Sequence, residues 1–153
     1  MGLDMFLTKE NRITHKVDEL IYWRKANAIH RFFLENGEIV QDGVSAIISK
    51  EVIEDLLDKC NEVLEKAIVK EGKINVGRQF KDGEWIELTR DGKYIENVDE
   101  IESILPTQDG FFFGSTDYDE FYLEDIKWTK EQLEKVLKEV DFNQNEVVYD
   151  SSW

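Results

Sequence analysis

The densest set of chemically useful side chains lies in Gly110-Phe111-Phe112-Phe113-Gly114-Ser115-Thr116 and the acids that follow it, Asp117, Asp119, Glu120, Glu124 and Asp125. Two glycines bracket a strand-like apolar run and permit backbone angles closed to other residues. Ser115 and Thr116 directly precede an expected helix start, where unpaired N–H groups favour a phosphate or carboxylate. The ordinary alternative is that Ser115, Thr116 or Asp117 simply caps that helix. The acids beside it oppose a strong phosphate site. They suit Mg²⁺ or Ca²⁺ better, but lack the central glycine and spacing of a calcium loop, so no metal and no cofactor is expected.

A second set comprises Trp23, Arg24, Lys25, Asn27 and His30. On a helix, Trp23, Asn27 and His30 are four and three residues apart and share one edge. An aromatic plate beside an amide and an imidazole suits a planar ligand; a satisfied cluster at the core boundary is the plainer alternative. On the same wheel Lys25 falls near ~200°, between Phe32 at ~180° and Ile29 at ~240°. A cation there must snorkel, pair or meet a ligand. The expectation is that Lys25 is at least half buried, with Asp150, the C-terminal group or an acid of 117–125 in reach. Catalytic signals are thin. His15 and His30 have no metal-binding spacing, Cys60 sits on an apolar helix face where a thiol is inert, and neither a G-x-S-x-G elbow nor a Walker loop occurs.

These residues need elements to hold them. Residues 3–8 read as a strand. A helix is expected over about Asp18–Glu35, ended by Asn36-Gly37, then an irregular stretch or weak hairpin over 38–48. Ser49 caps a second helix, Lys50 to about Lys70, closed by Gly72. Two Asp-Gly pairs, at 82–83 and 91–92, predict a β-hairpin excursion at about 74–96. A short helix near 98–104 stops before Pro106. Phe111–Phe113 read as a buried strand, Asp119–Ile126 as a short helix, and Thr129/Gln132 as a capping box opening another to about Val140. EVVYDSSW is a last strand. The fold class is α+β: one domain over 1–153, a small antiparallel sheet packed by two to three helices, with the terminal strands and 111–113 in one sheet and Trp153 beside the first helix.

The chain has 153 residues, 41% of them hydrophobic, 19 basic and 34 acidic, for a net charge of −15. That charge excludes an ordinary basic nucleic-acid footprint. No apolar run approaches the ~20 residues of a membrane span. One cysteine excludes an internal disulfide. The N-terminal MGLDMFLTKE has no signal-peptide core, so a cytoplasmic location is expected. Charge is uneven. Glu96 to Asp125 holds ten acids and no Lys or Arg, whereas Thr8 to Arg31 holds six bases against three acids. These segments either pair with each other or face across a polar cleft.

Several strings resemble a family of small bacteriophage and prophage proteins with no settled activity, whose members open with MGLDMYL and finish in SSW. They are MGLDMFL (1–7), YWRKANAIHRFF (22–33), LPT with GFFFGSTDYDEFY (105–126) and YDSSW (149–153). The 74–96 region looks like an insertion that many relatives lack or replace. The resemblance implies phage origin, and so the cytoplasm of a bacterial host, rather than a reaction.

The expected function is non-catalytic binding, sequestering a small anionic metabolite such as a nucleotide signal of host defence. Arg24, Lys25 and the Gly114-Ser115-Thr116 turn would hold the anion; Trp23, His30 and Phe113 would stack on a base, with Asn27 and Trp153 beside them. One alternative is an acidic interaction protein or DNA mimic that inhibits a host protein. Another is a small hydrolase using His30 and an acid. Partners are thus a small anionic ligand or a host protein, with no direct nucleic acid and no membrane; self-association stays open.

Overall fold

A computed structural model describes residues 1–153. The elements run β1 (Asp4–Asn11), β2 (Val17–Arg24), α1 (Asn27–Asn36), β3 (Glu38–Gln41), β4 (Ser45–Ile48), α2 (Lys50–Lys66), β5 (Val69–Lys81), β6 (Glu84–Ile95), α3 (Val98–Ile104), α4 (Glu120–Glu139) and β7 (Asn145–Ser152). Five strands form one antiparallel sheet in the order β2-β1-β7-β4-β3, and β5 and β6 form a separate two-stranded ribbon. The α+β class and the hairpin excursion are as the sequence predicts.

The sheet follows from alternation. Leu3, Met5 and Leu7, Ile21 and Trp23, and Val147 and Tyr149 are buried. Their neighbours Phe6 and Tyr22 pack on each other across the register pair on the opposite face. One cluster of 28 buried hydrophobic residues joins the sheet to all four helices, so a single core supports the main body. At its centre Phe33 stacks on Tyr149, with ring centroids 4.8 Å apart.

Several elements differ from expectation. Residues 17–24 are strand, not the start of a helix, and only Asn27–Asn36 is helical. Apolar residues are so dense from Leu20 to Phe33 that both periods fit. The free edge of β1 takes residues 17–24 into the sheet, from Glu10↔Val17 to Asp4↔Arg24. The chain then pivots at Lys25, whose φ is +57°.

α2 begins as predicted, with Ser49 Oγ accepting from Val52 N at 3.3 Å, but it ends at Lys66. Residues 120–139 form one helix rather than two. Its cap is Asp119, whose carboxylate accepts from the N–H groups of Phe121 and Tyr122. Thr129 is buried mid-helix and caps nothing; its hydroxyl accepts from Trp23 Nε1 at 2.9 Å. Residues 111–113 are not a strand: Phe111 and Phe112 turn in solvent, Phe112 with φ +64°, and only Phe113 is buried. No helix is long and apolar enough to cross a membrane.

Candidate functional site

The β2–α1 pivot, the 107–117 loop and the first turns of α4 enclose a cleft of about 480 Å³. Across it lies the ribbon bulge Asn75–Gly77, where the β5–β6 register shifts.

Arg24 and Lys25 form one lip. Main-chain direction reverses there: Lys25 N–H donates to Leu3 O at 2.8 Å, and the left-handed φ lets consecutive side chains leave on the same side. A non-glycine residue in that conformation costs roughly 1–2 kcal/mol and persists only where its surroundings enforce it. Both side chains lie against Gly2: a Cβ there would stand 2.7 Å from Lys25 Cε and 2.8 Å from Arg24 Nη2. On the other side the Lys25 stem passes Gly114, where a Cβ would stand 3.0 Å from Lys25 Cβ. Gly114, at φ +87°, thus meets two demands, a positive φ and a close neighbour. Arg24 donates to Asp4 Oδ1 at 3.1 Å and to Met1 O at 3.3 Å. Asp4 is held below the usual carboxylate range by the Tyr22 hydroxyl and by Arg24. Lys25 makes no ion pair and is exposed. The expectation of a half-buried, carboxylate-paired Lys25 therefore fails, because it rested on a helix that the chain does not form.

Asn27 organises the opposite wall. Its buried amide donates to Phe113 O at 3.1 Å and Ser115 O at 2.9 Å, and its carbonyl oxygen accepts from Gln108 N at 3.0 Å. Its hydrogen-bonding capacity is spent on the loop, so Asn27 positions Gly114 and Ser115 rather than meeting a ligand. Ser115 lines the cleft, and its hydroxyl accepts from Asp117 N at 3.0 Å. Thr116 O accepts from the Thr107 hydroxyl at 3.2 Å, and Thr116 does not line the cleft.

The cleft also holds Asp117, Asp119 and Asp125. Asp119 is raised by burial, against the pull of the two N–H groups it caps. Asp125 is pushed up to about 7 by burial, with Glu124 and Asp119 adding repulsion. It also borders a shallow hollow beside Tyr22, Trp23, Arg24 and Trp128. No three such acids converge into a metal-ligand set. Phe121 supplies the exposed aromatic face, with the Arg90 guanidinium 5.4 Å from its ring centroid.

Trp23, His30, Phe113 and Trp153 do not line the cleft. Trp23 is buried edge-on against Phe33 and Trp128. His30 is buried, its Nδ1 2.6 Å from Tyr149 Oη, with Phe113 and Trp153 edge-on around it. Burial drops the imidazole to about 4, so it is neutral at ordinary pH, and no carboxylate bonds to it. This leaves the hydrolase reading without its proposed pair. The expected base-stacking group is instead a structural aromatic cluster.

Of the ten expected residues, Arg24, Lys25, Asn27, Gly114 and Ser115 do meet at the cleft. Two further residues line the cleft: Asp125, which the sequence offers only as a cation-suited acid, and Phe121, which it does not single out. The helix expected over Asp119–Ile126 already carried both, and the structure puts Phe121 in the first turn of α4 and Asp125 in the second, turned toward the cleft. No protein family, no curated protein and no solved structure matches the chain.

Proposed function

We propose that the chain is a non-catalytic binding protein whose cleft takes a small polar molecule carrying one anionic group, a nucleotide-like metabolite being the favoured class. The anion meets Lys25 beside the Asp4-paired Arg24. The body of the ligand lies toward Phe121 and offers hydrogen-bond donors to Asp117 and Asp125. The observation that carries this reading is Lys25: an unpaired cation kept in a strained conformation, between two glycines, at the mouth of a half-open cleft. Backbone strain of this kind clusters at functional sites.

The acids limit the charge of the ligand. A molecule bearing several phosphates would face Asp117 and Asp125 with only Lys25 and a half-neutralised Arg24 to hold it, so a single anionic group fits better. Four of the ten acids between Glu96 and Asp125 are taken up around the cleft and are lost to an acidic partner-blocking surface. Asp119 is invested in a helix cap, Glu120 in an ion pair with Arg90 at 3.1 Å, and Asp117 and Asp125 face inward. A phage origin and a host-defence target belong to this proposal and rest on the family resemblance.

Titration calorimetry with a panel of nucleoside monophosphates and cyclic nucleotides tests it, using Lys25→Gly as the control. The expected outcome is one ligand class bound by the wild type and weakened at least ~10-fold in the variant, about 1.4 kcal/mol. The variant should be as stable as the wild type or up to about 1 kcal/mol more stable, because glycine relieves the left-handed strain. Absence of heat at roughly 100 μM protein across the panel, or binding unchanged by Lys25→Gly, sinks the reading.

A further inference from the structure

Phe121 and Asp125 stand four residues apart on α4, so they share the helix face that lines the cleft, one turn from each other. A planar ring laid on Phe121 therefore brings its edge toward the Asp125 carboxylate. That carboxylate is half-buried, and no donor or cation of the protein meets it; Glu124 and Asp119 add only repulsion. Arg24, which borders the same hollow, is committed to Asp4. A carboxylate left in such a place is costly unless a ligand supplies hydrogen-bond donors.

The ribbon wall supplies the complement. Where the β5–β6 register shifts, strand alternation breaks, and Asn75, Val76 and Gly77 all line the cleft. A bulge of this kind re-aims side chains, and Gly77, at φ +148°, has open space where a Cβ would stand. Asn75 Oδ1 accepts from Gly77 N at 2.8 Å, which fixes the amide and leaves its Nδ2–H₂ group without a protein partner. The cleft thus presents free acceptor oxygens on one wall and a free donor on the other.

Resting on the reading of this cleft as a nucleotide-like site, we propose that the base it selects is guanine. A carboxylate accepts two parallel N–H bonds, as it does from a guanidinium. Guanine alone among the common bases presents two adjacent donors, N1–H and the 2-amino group, beside a 6-oxo acceptor. Asp125 takes the two donors, Asn75 donates to the 6-oxo group, and the ring lies on Phe121. Adenine and cytosine place a ring-nitrogen acceptor beside their amino group, where a carboxylate repels it. Uracil and thymine flank a single N–H with two oxygens. The 6-amino group of adenine would also meet the Asn75 amide donor against donor. Each mismatch leaves a half-buried polar group unpaired, which is how a site built on hydrogen bonds rejects near neighbours of its ligand.

Titration calorimetry at about pH 8, where Asp125 is mostly ionised, tests the proposal with the 5′-monophosphates of guanosine, inosine, xanthosine and adenosine. The guanosine nucleotide should bind at least ~10-fold more tightly than the inosine nucleotide, which lacks only the 2-amino group, and more tightly still than the adenosine nucleotide. Asp125→Asn exchanges one acceptor for a donor. It should weaken the guanosine nucleotide at least ~10-fold and make the xanthosine nucleotide, whose 2-oxo group accepts from the new amide, the preferred ligand. The variant should keep its far-ultraviolet dichroism spectrum, because it removes a charge that burial opposes. Asn75→Ala should weaken the guanosine and inosine nucleotides alike, since both carry the 6-oxo group. Inosine or adenosine nucleotide bound as tightly as guanosine nucleotide overturns the choice of base and leaves the cleft a nucleotide site. A guanosine preference that Asp125→Asn does not move overturns the role of Asp125 and with it the proposal. No binding by any of the four overturns both this proposal and the reading it rests on.

Discussion

Two buried or half-buried ionisable groups, His30 and Asp125, pull the pH dependence of stability in opposite directions. The folded-state value of His30 lies near 4, below the 6.5 of a free imidazole. Its contribution is therefore complete above about pH 6.5 and is lost as pH falls toward 4. Asp125 is raised from 3.8 to about 7. Its contribution is complete below about pH 4 and is lost as pH rises through 7. Between pH 4 and 7 the two oppose each other. Asp125→Asn should therefore stabilise the protein above pH 7 by on the order of 2 kcal/mol, allowing for water at the exposed edge of the carboxyl. It should also leave a profile that climbs more steeply from pH 4 to about 6.5, because Asp125 no longer opposes His30. Urea midpoints across that range check both parts; no gain above pH 7 would mean that water solvates Asp125 fully. Residue chemistry was half legible in the sequence, since five of the ten expected residues line the cleft. The sequence singles out Arg24, Lys25 and the Gly114–Ser115 turn by residue type, and the fold brings them to one cleft, although the helical spacing used for Lys25 does not exist. The role of Lys25 was not legible, because a left-handed φ at a lysine leaves no compositional trace.

Elements were legible where one period stood alone. α2 shows helical spacing with a serine cap, and its start is where the sequence places it. The two Asp-Gly pairs marked the ribbon, although only Asp82-Gly83 is its turn; Asp91 and Gly92 lie inside β6, where a Cβ on the glycine would stand 2.6 Å from Ile74 Cδ1. Residues 18–35 misled because Ile21, Trp23, Ile29, Phe32 and Phe33 satisfy a helix as well as a strand followed by a helix. The decision belongs to β1, a partner remote from any local window. α4 was split for a related reason: Thr129 resembles a cap locally, and only the tertiary partner Trp23 explains a buried hydroxyl in mid-helix. Thr129→Val keeps the shape and leaves the indole N–H buried without an acceptor. It should cost about 1–3 kcal/mol in urea unfolding. An unchanged midpoint would show that this bridge between β2 and α4 contributes nothing.

Across the whole molecule, the single core and the projecting ribbon behave as separable parts. Replacing Val76–Leu88 by a two-residue Asn-Gly turn would join Asn75 to Thr89, which already face each other in the register. Little of the core is lost, because Ile74 and Ile95 remain. The melting temperature should move by no more than about 5 °C. A larger fall would show that the tip stabilises the fold of its own chain. The overall class could be foreseen from the sequence because strand and helix signals were both strong. The pairing order could not, since nothing in the spacing of residues says which strand lies beside which.

That order has a kinetic side. β7 is last in the chain and central in the sheet, with β1 on one flank and β4 on the other. Without it the sheet divides into two separate hairpins, β1–β2 and β3–β4, each too small to persist alone. Asp4 must find Ser152, so loop closure over nearly the whole chain precedes any reward. On the ribosome, α2 can form early while the sheet waits for residues 145–152 to emerge. During that interval Leu3, Met5 and Leu7 have no lasting shelter, and the nascent chain at that stage is the form most exposed to chaperones and proteases.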